Sequence, residues 1–335
     1  SAEIMTCKPP ASPASATDRN AQKKRPLIFI HGSFHASWCW AEHYMPYFAN
    51  QLGHSCYALS LRGTDGTFAG EGVKKVKIMQ HVHDLTDFIT YVIQQERNDG
   101  GNTSTTSGDD DYDDDDDDDA NDPQQQPLPV VISHSFGGLS VMKYLEQNLL
   151  EDKKDKITLG GVVMMCSVPP SGNGKMTMRF LRDSWKNSWK ITAGLAMKKC
   201  ITDKDLCREL FFDEDNANQD AGADDRISDD DIERYQSYFQ RDTVATIDLG
   251  DLATQLPSKN INQANGEALY IHKIPPSIVI GATGDFIIDS EGVEETARYL
   301  GVDPIMVDSP HDVMLGTKWR NGAMAIERWL GEIQS

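Results

Sequence analysis

The sequence predicts an α/β fold in which a mostly parallel central sheet is flanked by helices and interrupted by a mainly helical insertion. Three observations predict it. Short apolar runs rich in β-branched residues alternate with longer stretches whose apolar residues recur at helical spacing. The connections between successive runs are long enough to hold a crossover helix, which favours parallel pairing. The alternation breaks once, between residues 169 and 271, and then resumes with the same rhythm.

The elements follow in order. Residues 26–31 (PLIFIH) read as a buried strand closed by a sharp turn at Gly32. In HASWCWAEHYMPYFANQLG the aromatic residues recur at helical spacing, and Gly53 is the stop. HSCYALSL supplies the second strand. Over residues 78–97, Ile78, Val82, Leu85, Ile89, Val92 and Ile93 share one helical face with polar residues opposite, as in a surface helix packed on a sheet. The sheet resumes with LPVVISHS at 128–135, followed by a helix from 137 to about 150 and a strand at 159–166 (LGGVVMMC). Beyond the insertion come the strand in PSIVIGATGD, a helix over SEGVEETARYLG, the strand PIMV and an amphipathic helix from Trp319 to Ile333. Strands with helices on both sides imply a doubly covered sheet.

These elements assign residues 26–168 and 272–335 to the core. Residues 1–25, rich in Pro, Ala, Ser and basic side chains from residue 7 onward, are expected to be a flexible tail, with a composition compatible with the end of a targeting segment. Residues 99–127 are expected to be a disordered Asp-rich insertion, because like-charge repulsion and the lack of apolar groups oppose packing. Residues 169–271 are expected to form a lid. Its Met176, Met178, Phe180, Leu181, Trp185 and Trp189 either line an apolar acyl pocket or pack the lid on the core, and an exposed amphipathic lid face would suit a lipid surface.

Composition narrows the function classes. The formal charge is −20, but residues 99–122 hold twelve Asp and no Lys or Arg, so the rest of the chain carries only −8. Nothing here gathers a polyanion, and nucleic-acid binding is not expected. No apolar run approaches the ~20 residues that cross a bilayer, so no integral membrane segment is expected. The six Cys (7, 39, 56, 166, 200 and 207) show no zinc spacing and read as reduced, mostly buried thiols. The Asp run lacks the glycine and glutamate register of a calcium loop, so no structural metal is expected, and no motif calls for a cofactor.

The most informative string is Ser133-His134-Ser135-Phe136-Gly137-Gly138, directly after a strand and directly before a helix. That context defines a nucleophile elbow, whose tight turn needs small residues two before and two after the nucleophile. Ser133 and Gly137 meet that demand, with Ser at a place where Gly is usual. A serine hydroxyl needs a base within reach and a third group to hold that base, in the chain order Ser, acid, His for this turn. Only His272 and His311 follow Ser135. His311 is preferred because it follows a strand by a short loop, whereas His272 precedes a Pro-Pro run. Asp285, just past the strand SIVIG, is the expected acid, with Asp289 as alternative. The oxyanion of a tetrahedral intermediate needs backbone donors, assigned to the N–H groups of Phe136 and Ser33. His31 is expected only to buttress the Ser33 turn.

With HGSFHASWCW, SHSFGG, Gly284-Asp285 and SPHDVML in place, the chain resembles the α/β-hydrolase superfamily from about residue 26 to 331. The first string is similar to the oxyanion loop of plant methylesterases and hydroxynitrile lyases. LSLRGTDG, SVPPSG and PHDVML are similar to a broad group of esterase- and lipase-like hydrolases. The resemblance implies catalytic roles for Ser135, Asp285 and His311, with Ser33 and Phe136 as oxyanion donors. The expected function is hydrolysis of a small-molecule or lipid-like carboxylic ester through an acyl-enzyme. Two alternatives use the same fold: a hydroxynitrile-lyase-like or C–C bond hydrolase reaction with the same triad, and a ligand-binding receptor with negligible turnover.

Overall fold

In the computed structural model, residues 2–10, 23–101, 127–150, 158–183, 198–212 and 226–334 are described. Most of the Asp-rich stretch, with Trp185 and Trp189, lies outside the described residues. The strands are β1 (Ile4–Cys7), β2 (Leu27–Ile30), β3 (Cys56–Leu59), β4 (Lys75–Val76), β5 (Val130–His134), β6 (Gly161–Met165), β7 (Thr246–Ile247), β8 (Ser277–Gly284) and β9 (Pro304–Pro310). Seven of them form the central sheet in the order β1-β3-β2-β5-β6-β8-β9, parallel throughout except for β1. Every residue of β2, β3, β5 and β6 is buried. That is why these runs are apolar without alternation: helices cover both faces, and each fully buried aliphatic side chain contributes about 1.5–3 kcal/mol.

The helices are α1 (Trp38–Ala41), α2 (Tyr44–Pro46), α3 (Ile78–Gly101), α4 (Phe136–Leu149), α5 (Gly174–Asp183), α6 (Lys204–Phe212), α7 (Asp229–Arg241), α8 (Leu249–Gln255), α9 (Ser290–Leu300) and α10 (Trp319–Gln334). A five-residue π-helical stretch, Tyr47–Gln51, continues α2 towards Gly53. In α3, Ile78, Val82, Leu85, Ile89 and Val92 are buried, the face predicted from their spacing. From β2 the chain steps outward to β3, and from β5 it proceeds to the other side of the sheet. The order therefore reverses between β2 and β5, and the crevice at their carboxyl ends is where an open α/β sheet places a site.

The amino-terminal segment corrects an expectation. Ile4–Cys7, assigned to a flexible tail, pairs antiparallel with β3 from Ile4↔Leu59 to Cys7↔Cys56. A buried carboxylate holds it there: Glu96 receives the Lys8 ammonium at 2.6 Å, the Tyr57 hydroxyl at 2.6 Å and the Lys23 ammonium at 3.0 Å. Burial alone would raise the Glu96 carboxyl, but these three donors outweigh it and hold it down to about 2. Four residues are too few to signal a strand, and the partner of Lys8 lies far along the chain. Residues 11–22 of the expected tail lie outside the described residues.

Among its described residues the segment between β6 and β8 is mainly helical, as predicted, and it also holds β7, which pairs with β4 over two residues. It is pinned to the core at several points. Trp38 Nε1–H donates to the buried Asp242 at 2.8 Å, while Tyr235, Tyr238 and Phe239 pack around the same indole. Arg234 pairs with Glu42, and Arg179 makes two 2.6 Å bonds to Asp289. Among the residues expected to line an acyl pocket, Met176 is buried, whereas Met178 and Leu181 are exposed. Among the described residues, no helix is long and apolar enough to cross a membrane.

Candidate active site

Ser135 stands between β5 and α4 with φ +52° and ψ −122°, a conformation that costs a non-glycine residue about 1–3 kcal/mol. Its surroundings hold it there. The Ser135 N–H donates to Met165 O at 3.0 Å, and its carbonyl accepts from Gly138 and Val168 at 3.1 and 3.0 Å. A Cβ at Gly137 would meet the backbone oxygens of His31 and Ile30 at 2.5 and 2.7 Å, so only glycine lets α4 approach β2 this closely. Ser133, two residues before the turn, is buried and donates to Val163 O at 3.0 Å. The hydroxyl in the place where glycine is usual is thus accommodated and satisfied.

His311 follows β9 immediately. Its Nε2 lies 3.2 Å from Ser135 Oγ, and its Nδ1 lies 2.9 Å from both oxygens of Asp285, which follows β8. Asp285 Oδ1 also accepts the N–H groups of Ile287 and Ile288 at 2.8 Å each, so the carboxylate cannot rotate freely. Burial alone would depress the His311 imidazolium. The Asp285 carboxylate, with Asp312 behind it, more than offsets this and raises it above the ordinary histidine value. The two alternatives are placed elsewhere. Asp289 is held by Arg179 and caps α9 through Gly292 N–H at 2.9 Å, and His272 is exposed on a short turn.

The Ser33 turn passes directly over Ser135, since a Cβ on Gly32 would lie 2.7 Å from Ser135 Cβ. His31 donates from Nδ1 to Gly32 O at 2.7 Å and accepts Leu61 N–H on Nε2 at 2.8 Å. Burial pushes its pKa down to about 3, so the ring is neutral with its proton on Nδ1. Because a peptide is planar and trans, fixing Gly32 O also fixes the direction of the Ser33 N–H. Neither the Ser33 N–H nor the Phe136 N–H has an acceptor among the described residues, which is what two donors reserved for a ligand oxygen require.

Three further side chains belong to this cluster through contacts that no motif or spacing in the sequence signals. His134 donates from Nε2 to the His311 carbonyl at 2.9 Å, and burial drives its pKa well below the ordinary value, so it is a neutral clamp on the base. Cys166 lies within 4.8 Å of Asp285 and His311, and its thiol is pushed up by burial and by that carboxylate. Asp312, wholly buried, bonds His35 at 2.9 Å. His134, His311 and Asp312, and separately Cys166, Asp285 and His311, lie close enough to share a cation. Both sets depend on His311, whose two ring nitrogens already face Ser135 and Asp285, so ligation would dismantle that alignment. The arrangement can draw the hydroxyl proton of Ser135 onto a neutral imidazole backed by a carboxylate.

A family model described as the Alpha/beta hydrolase family matches residues 27–317. No curated protein matches the chain. Solved structures resemble it at low identity. A thermophilic esterase from Thermogutta terrifontis superposes with a TM-score of 0.60 at 12% identity, covering 100% of this chain and 94% of the other. A bromoperoxidase from Bacillus anthracis gives 0.58 at 14%, covering 98% and 96%. MenH from S. aureus gives 0.55 at 10%, covering 99% of both chains. Identities this low speak for the fold alone.

Proposed function

The chain belongs to the alpha/beta hydrolase family, and on that premise we propose that it is a serine hydrolase that cleaves carboxylic esters through an acyl-enzyme. One observation carries the reading. A strained serine at a strand-to-helix turn lies 3.2 Å from the Nε2 of a histidine whose Nδ1 faces a fixed, buried carboxylate at 2.9 Å.

In this reading His311 takes the Ser135 proton as Oγ attacks the ester carbonyl, and the imidazolium so formed is stabilised by Asp285. The carbonyl oxygen becomes an oxyanion that receives the N–H groups of Ser33 and Phe136. His311 then returns the proton to the departing alkoxide, leaving the acyl group on Ser135 and releasing the alcohol. Water, deprotonated by His311, attacks the acyl-enzyme, and the acid leaves as Oγ recovers the proton. The described part of residues 169–271 acts in this reading as a cap over the centre and selects the ester. Phe211 and Phe239, which pack on Phe34 of the Ser33 turn, support that assignment.

The test is turnover of p-nitrophenyl esters from acetate to palmitate by the intact protein and by Ser135→Ala. The expected result is hydrolysis that the substitution abolishes, with a preference for one chain length. Folded protein that hydrolyses none of the series would overturn the esterase reading in favour of proton-transfer or receptor chemistry at the same residues.

A further inference from the structure

His35 is fully buried and touches two acceptors. Its Nδ1 lies 2.8 Å from Ser33 O, and its Nε2 lies 2.9 Å from Asp312 Oδ2. A carbonyl oxygen only accepts, so Nδ1 must carry a proton. The second contact also needs one proton, on Nε2 or on the carboxyl. With a single proton on the ring and an ionised Asp312, one of the two contacts would oppose lone pairs inside a dry core. The two side chains therefore hold two protons between them and are net neutral as a pair. Rotation is blocked as well: Trp38 stacks on the ring at 5.5 Å, with Phe239 at 4.9 Å and Phe211 and His134 at 6.0 Å.

The connections matter more than the pair itself. Ser33 O belongs to the peptide next to the one that His31 orients, so two histidines grip consecutive peptides of the turn. Phe34 then adopts φ +69°, which an unsupported phenylalanine rarely does. At the other end, Asp312 directly follows His311. Thus the turn carrying one expected oxyanion donor is bonded, side chain to side chain, to the loop carrying the expected base. The titratable groups facing Asp312 are His134, His311, Cys39, Cys166, Cys200, Cys207 and Tyr235. None of the seven is a permanent cation, so His35 is the partner that neutralises it.

We propose that His35 and Asp312 are positioning residues: a buried pair holding a shared proton that fixes the Ser33 turn relative to His311, so that oxyanion donor and base stay in register during ester cleavage. The proposal rests on the hydrolase reading. It assigns neither residue a contact with substrate.

Two measurements test it. In protein labelled with ¹⁵N-histidine, His35 Nδ1 should carry the proton it donates to the Ser33 carbonyl; a His35 whose Nδ1 is unprotonated would overturn the proposal. In kinetics, Asp312→Leu and His35→Phe should each lower kcat about 10- to 100-fold with KM little changed, the loss expected when a donor is displaced by a fraction of an ångström. The double variant His35→Phe/Asp312→Leu leaves neither a buried ring nitrogen nor a buried carboxylate without its partner, and the one acceptor it releases, the Ser33 carbonyl, belongs to an exposed residue, which keeps it folded. It should be no slower than the worse single variant, because the two act as a unit. Asp312→Asn should restore most of the rate that Asp312→Leu loses, since an amide N–H can donate to Nε2 while Nδ1–H stays on Ser33. A double variant with wild-type kcat, or an Asn variant as slow as the Leu variant, would overturn the positioning role. Failure of the hydrolase reading looks different: Ser135 of the wild type would itself resist a fluorophosphonate and turn over no ester, and the role proposed for the pair would fall with it.

Discussion

The backbone N–H of Asp312 donates to the carbonyl of Phe211 at 3.0 Å, so the segment inserted between β6 and β8 is bonded to the residue that follows His311. The Phe211 ring also lies 6.3 Å from the His311 ring and 5.1 Å from Phe239. In the proposed hydrolase reading this part of the insertion serves as a roof bonded to the loop of His311. Phe211→Ala should cost about 3–5 kcal/mol in urea unfolding, the usual range for emptying a buried phenylalanine site. It should also slow ester turnover more than 10-fold at saturating substrate, because Asp312 and its neighbour lose their backing. Normal turnover despite the stability loss would show that the roof does not steady the base.

A second prediction concerns pH. Cleavage needs His311 neutral, and its folded pKa is raised by Asp285 over the opposing effect of burial. The acid limb of kcat/KM should therefore rise through a midpoint above the ordinary histidine value of about 6.5. In Asp285→Asn the midpoint should fall and kcat should drop by roughly 10³–10⁴. Stability runs the other way. A raised folded pKa contributes stability that is complete below the unfolded value and disappears as pH climbs through the folded one. His311 thus helps hold the fold where the site is inactive and ceases to do so where it is active. A wild-type midpoint below 6.5 would contradict this assignment of the base.

Glu96 yields the opposite dependence. Its folded pKa of about 2 lies below the ordinary 4.5, so its contribution is complete above the unfolded value and is lost as pH falls from 4.5 to 2. Glu96→Gln should flatten that part of an acid unfolding curve. Lys8→Ala should do the same in part, since Lys8 is one of its three donors. Curves that superpose on the wild type would mean that β1 is not held through this carboxylate.

The residues on which these effects rest were not equally legible in the sequence. Ser135, Asp285 and His311 each sit at the carboxyl end of a strand that hydrophobic patterning locates, so motif and periodicity together named them, and the structure brings them within hydrogen-bonding distance. Strand β1 escaped because it is four residues long and is stabilised by Glu96, nearly ninety positions away. His35 and Asp312 were visible in HGSFHASWCW and SPHDVML, but their pairing spans 277 residues and leaves no periodic trace. Met178 and Leu181 looked like pocket residues because composition does not report which side of a helix faces the core.

The last prediction contrasts two glycines. At Gly137 an added Cβ would collide with two backbone oxygens of the segment next to it, His31 O at 2.5 Å and Ile30 O at 2.7 Å, and neither can move without breaking the sheet. Gly137→Ala should therefore fail to fold or should unfold at far lower denaturant. At Gly32 the obstacle is Ser135 Cβ at 2.7 Å, with His134 Nδ1 and His134 O at 3.1 and 3.2 Å. Here a turn can give way, at an overpacking cost of about 1–3 kcal/mol. Its movement carries the Ser33 N–H away from the oxyanion position, and loss of one such donor costs about 10²–10³ in kcat. Gly32→Ala should accordingly fold, bind substrate with little change in KM, and turn it over at least a hundredfold more slowly. If Gly32→Ala kept wild-type kcat, the donor would have to lie elsewhere than on Ser33.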